Sequence, residues 1–180
     1  MEKTDEIIAE LYENIKGNFI SAWKYDFLLT DEFLSVFTNQ KSFFADHSKM
    51  ALGAAHFGYS DTTNKFELAI RDYLLFEWLD SEVNKTERTD FSALWKAVRD
   101  RYNENNVDQN LEQLLQEGAE ETSPDEIVAA IIYCTIGAER LCTGFLVSCC
   151  ENGMIGRLLL RLKEIREIEQ LLQNDGDVKY

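Results

Sequence analysis

The chain has 180 residues, 45% of them apolar, with 11 Phe, 7 Tyr and 3 Trp, which suits one domain with a substantial core and excludes a disordered acidic tail. A net charge of −15 repels phosphate backbones and anionic headgroups, so nucleic acid and membrane surfaces are disfavoured as partners. One proline and nine glycines fit long helices with short connections and argue against an all-β fold.

Thr4 caps a predicted first helix, with Asp5 and Glu6 in its first turn. Ile7, Ile8, Leu11, Ile15, Phe19 and Trp23 recur at helical spacing, so this helix is expected to run to about Lys24. Thr30-Asp31-Glu32 caps a second, short helix that turns Phe33, Leu34 and Phe37 inward and stops near Asn39. A third begins near Ser42, with Phe43, Phe44, His47, Met50, Ala51 and Ala54 as its inner stripe, and ends at a turn over Gly58-Tyr59-Ser60-Asp61. Thr62 or Thr63 then caps a fourth, whose stripe is Phe66, Ala69, Ile70, Tyr73, Leu74, Trp78 and Leu79. The polar run 80–89, DSEVNKTERT, reads as a surface loop. A fifth helix follows with Phe91, Leu94, Trp95, Val98 and Tyr102, and a short sixth with Val107, Leu111, Leu114 and Leu115, closed by Gly118.

The stretch 124–151 is the expected centre. Ser123 has the form of an N-cap, Pro124 suits the first helical position, and Glu126 completes a capping box. From Ile127 to Ala138 the run is uncharged and apolar almost all round, so it needs neighbours on most sides. It does not read as a membrane span, because Glu139 and Arg140 fall near its middle and no basic cluster flanks it. Asn152-Gly153 ends it and leads into a C-terminal helix over 154–173, expected to lie antiparallel to it, with 174–180 frayed. Ile155, Leu158, Leu162 and Ile165 are spaced as in a heptad, which admits either that hairpin or a homodimer seam. The expectation is thus a single all-α domain, 1–180, of about eight helices around one apolar helix.

Chemistry is sparse. His47 and His56 stand nine residues apart, so a straight helix points them to opposite sides and they cannot share a metal. Gly53 to Gly58 has the glycine spacing of a phosphate loop but lacks its lysine. All four cysteines lie in the central stretch, where no pair closes a bridge except a strained vicinal one at Cys149-Cys150. They read as reduced thiols in the cytoplasm, consistent with an acidic N-terminus, MEKTDEII, that has no signal-peptide core. Glu139 and Arg140 diverge by about 100° on a helix and each needs a partner, such as Asp72 or Arg161, or a route to water.

Two functions follow, with an enzyme whose Glu, Asp and Arg residues converge from different helices ranked third. The first is an acidic interaction or regulatory module without catalytic activity, an inhibitor of a basic protein partner in its sharpest form, with a homodimer through the last helix as a further option. The alternative is a small apolar-ligand or sensor domain, with a pocket beside the central helix and His47, Glu139 and Arg140 as polar anchors. Neither reading calls for a cofactor or a metal, and no catalytic residue is assigned.

Overall fold

The computed structural model describes residues 2–19, 23–38, 54–83, 100, 107–137 and 145–178. Every regular element among them is helical. In chain order these are α1 (Glu2–Asn18), a 3-10 turn (Asp26–Leu28), α2 (Asp31–Thr38), α3 (Ala54–Val83) and α4 (Val107–Gln116). Then come α5 (Pro124–Ile132), a π turn (Tyr133–Gly137), α6 (Phe145–Glu151) and α7 (Met154–Val178).

Local capping chemistry sets several of these boundaries. Ser123 is extended, at φ −71° and ψ 139°, and its hydroxyl accepts a hydrogen bond from the Asp125 amide at 3.2 Å, with Pro124 in the first turn. Thr30 does the same for α2 by accepting from the Phe33 amide at 3.2 Å. Gly153 takes φ 84°, a left-handed conformation that side chains other than glycine's resist, and so ends α6. The Asn152 side chain then accepts from the Met154 amide at 3.0 Å and starts α7.

Burial follows from composition. Ile127 to Ile132 are all buried in α5, and on α7 so are Ile155, Leu158, Leu159, Leu162 and Ile165. The two helices pack on each other, and α2 packs on α7 as well. The heptad-like set therefore lies inside the chain's own core. On α2, Phe33 and Phe37 both meet Phe66 of α3, each with ring centroids 5.1 Å apart.

Several expectations are corrected. The helix expected over 124–151 is α only to Ile132 and then loosens into the π turn. There the Thr135 hydroxyl bonds back to the Ile131 carbonyl at 2.7 Å, a contact that bends helices. The turn expected at Gly58–Asp61 is absent, because α3 runs unbroken through it. A mid-helix glycine costs only about 1 kcal/mol, and burial of Phe66, Ile70 and Tyr73 outweighs that. Thr62 and Thr63 are accordingly buried in the helix instead of capping it. The same helix continues to Val83, so the polar run from Asp80 begins with its last turn, and Ser81 is buried.

α1 stops at Asn18, short of Lys24. Its inner line is Ile8, Tyr12, Ile15 and Phe19, whereas Ile7 and Leu11 are exposed. It runs antiparallel along α3: Tyr12 donates to Asp80 at 3.0 Å, and Phe19 lies beside Tyr73. Trp78, expected in the core, is exposed. α7 extends past Gln173 to Val178, so the frayed tail expected over 174–180 is helical that far. The third helix's expected stripe up to Met50, the fifth helix's apolar set and Cys142 lie outside the described residues.

Candidate functional site

Among the described residues, the densest set of specific contacts gathers on the short stretch from Trp23 to Leu28. Amides of Asp26, Leu28 and Leu29 each bond to the carbonyl three residues back, at 3.0–3.1 Å, which winds the chain into a single tight turn. In such a turn successive side chains fan out in different directions, and here each meets a different partner. The Trp23 indole donates to Glu169 of α7 at 2.7 Å. Lys24 pairs with Glu77 of α3 at 3.1 Å. The Tyr25 hydroxyl donates to Asp125 in the first turn of α5. Asp26 receives Arg166 of α7, with Nε 2.5 Å and the second guanidinium nitrogen 3.2 Å from its two oxygens. Phe27 stacks on Tyr73 of α3 at 5.2 Å, and Leu28 is fully buried.

At the middle of this turn sits an aromatic and anionic cage. The Tyr25 and Tyr73 rings meet edge to face, with centroids 5.9 Å apart. The Lys24 ammonium lies 5.5 Å from the first centroid and 5.8 Å from the second, within cation–π range of both. Its carboxylate partner, Glu77, has a side chain only 8% exposed, whereas that of Lys24 is 51% exposed. The Tyr73 hydroxyl is buried and makes no hydrogen bond of good geometry. Burial, and after it the bond to Asp125, pushes the Tyr25 phenol far above its ordinary range. Burial does the same to Tyr73, reinforced by Tyr25 and Glu77. Both hydroxyls therefore stay protonated at any physiological pH, and neither serves as a base. The arrangement holds the Lys24 ammonium between two rings and a carboxylate.

Beside the cage a cleft of about 180 Å³ is lined by Asn18, Phe19, Lys24, Asp26 and Phe27. A second polar cluster ties α7 to α4. Arg157 grips both oxygens of Glu112, at 2.6 and 3.1 Å, and that grip lowers the Glu112 carboxyl below its ordinary range. Arg161 donates to the carbonyls of Leu115, at 3.0 Å, and Glu117, and so satisfies the end of α4.

His47, Glu139 and Arg140, the residues singled out from sequence, all lie outside the described residues. The cage residues were missed. Trp23 and Lys24 look like the end of a helix, and Glu77 and Asp125 look like surface charge. Two signals were available: the run Trp-Lys-Tyr-Asp-Phe, where apolar rings alternate with charges of both signs, and the place of Glu77 on the stripe of Phe66, Ile70 and Tyr73. Among the described residues no group of three or more His, Cys, Asp or Glu side chains is placed to hold a metal, and no helix is long and apolar enough to cross a membrane. Cys134, Cys149 and Cys150 are buried and not in disulfides. No protein-family model, no curated protein and no solved structure matches this chain.

Proposed function

We propose that this chain is an acidic helical interaction or regulatory module, without catalytic activity, that binds a basic protein partner. The observation that carries the reading is the outer face of α1. There Ile7 and Leu11 are 52% and 44% exposed, and Glu6, Glu10 and Glu13 are exposed with them. Apolar side chains beside a row of carboxylates suit a partner that brings apolar and basic groups together, and the net charge of −15 steers such a partner in. Inhibition of that partner is the sharpest form of the proposal.

In this reading 124–151 acts as the central scaffold, with the C-terminal helix returning antiparallel beside it, and the domain spans 1–180. The buried thiols support a reducing, cytoplasmic setting. A second copy remains a candidate occupant of α7, through Leu160, Leu171 and Leu172, which are exposed. The alternative is a small apolar-ligand or sensor domain, whose pocket beside the central helix would draw on His47, Glu139 and Arg140, outside the described residues.

The test has two steps. Native mass spectrometry of the purified chain reads its copy number and any retained ligand. A captured partner is then titrated at low and high salt. The proposal expects a basic partner whose affinity falls about tenfold or more as salt screens the acidic face. Affinity independent of salt, or a stoichiometric apolar ligand in place of a partner, contradicts it.

A further inference from the structure

The Lys24 ammonium completes a site whose other parts are fixed without it. Tyr25 and Tyr73 are almost wholly buried, Tyr25 is tied to Asp125, and Tyr73 is stacked on Phe27. The carboxylate of Glu77 is buried against them. Two ring faces and a carboxylate converging on one point attract any ammonium, whatever chain it belongs to. The occupant is by contrast loosely held. Half of the Lys24 side chain faces solvent, and it also lines the cleft formed with Asn18, Phe19, Asp26 and Phe27. Its departure leaves Glu77 as a buried carboxylate without the Lys24 counter-ion, a state that draws in a replacement cation.

We infer that the Tyr25–Tyr73–Glu77 cage is an ammonium-recognition site, filled in the isolated chain by Lys24 and taken over by a lysine side chain of a basic partner. The inference rests on the functional reading above and adds to it the place and the chemical group of recognition. Lys24 then acts as an internal competitor, which sets a threshold that only a partner with further contacts overcomes.

The test empties the cage in the full-length chain with Lys24→Ala, which leaves its walls intact. Methylammonium chloride is the probe, and sodium chloride at equal ionic strength is the control. Methylammonium is expected to raise the Tm of the variant about 3 °C more than sodium does, and to leave the wild type unchanged. The double variant Lys24→Ala/Glu77→Gln is expected to show no such gain. Equal Tm values in the two salts, or the same gain in wild type or double variant, overturn the inference. Should Lys24→Ala fail to fold, Lys24→Met keeps the packing of the stem and the same comparison is made on it. A second titration follows Trp23 fluorescence, since Trp23 lies 5.5 Å from Tyr25. On the emptied variant a lysine-containing peptide is expected to bind about tenfold more tightly than its norleucine counterpart. Equal binding overturns the assignment to lysine. A captured basic partner that binds the wild type and the double variant alike removes this inference and leaves the functional reading standing. Methylammonium rescue with no basic partner upholds the site and removes that reading.

Discussion

Two short elements hold this molecule together by opposite means. α5 is buried on every side from Ile127 to Ile132, and no polar side chain interrupts that run. The turn from Trp23 to Leu28 is barely a helix, yet its side chains reach α3, α5 and α7 through ion pairs, hydrogen bonds and stacked rings. Burial of apolar surface is non-directional and tolerates many partners. Charge pairs and phenol–carboxylate bonds demand one geometry, and their net worth is small unless a partner is removed. The first element therefore supplies stability, and the second supplies the register in which α1 and the 3-10 turn sit on the rest.

That contrast is open to direct attack. Ile131→Ala cuts a wholly buried side chain out of α5 and should cost about 3 kcal/mol in urea unfolding, since large-to-small changes in cores lose both transfer energy and packing. A much smaller loss would mean that α5 is less tightly surrounded than its burial indicates.

Alkaline pH probes the turn. The phenols of Tyr25 and Tyr73 are held far above their ordinary value of 10.0 by burial. The unfolded chain loses those protons near pH 10 and the folded chain keeps them, so above pH 10 the unfolded state binds fewer protons. Stability is therefore full below that pH and should fall above it, by up to ~1.4 kcal/mol per pH unit for each phenol. Absorbance near the phenolate band should show both rings ionising only as the protein unfolds.

The two tyrosines should part company under mutation. Tyr25→Phe removes a donor from Asp125 and is expected to cost about 1 kcal/mol. Tyr73→Phe removes a buried hydroxyl that has no hydrogen bond of good geometry, so it should be neutral or slightly stabilising. Equal losses would show that Tyr73 has a partner as good as that of Tyr25.

The smallest effect is expected at the far end of α7. Leu172→Ala, on an exposed residue, should change stability by less than about 0.5 kcal/mol, in contrast to Leu162→Ala within the core. A larger change at Leu172 that depends on protein concentration would reveal a second copy seated there.

What sequence revealed follows the same division. The Ser123-Pro124 cap, the bounds of α2 near Thr30 and the Gly153 turn are decided by neighbours within a few residues, so they are legible in a single chain. The burial of Ile155, Leu158, Leu162 and Ile165 was legible from periodicity, although the choice between hairpin and intermolecular seam was not. The cage was invisible because its parts are distant in sequence. Tyr25 and Asp125 lie 100 residues apart, and Trp23 and Glu169 lie 146 apart. Glu77 does continue the buried line of Phe66, Ile70 and Tyr73 at helical spacing, but nothing local names the lysine that meets it. The turn foreseen at Gly58–Asp61 shows the reverse failure, where a local signal was overridden by the burial of the helix that carries it.

The claim at the centre of this account is that Lys24 and Glu77 act as a specific pair inside an aromatic cage. A double-mutant cycle with Lys24→Met and Glu77→Gln, read by urea unfolding, tests it most directly. Lys24→Met alone should be the most costly of the three variants, because it strands a buried carboxylate. The double variant should recover about 1 kcal/mol or more of the summed losses. Strictly additive losses, with no coupling between the two sites, would contradict it and reduce the cage to a chance approach of a surface lysine.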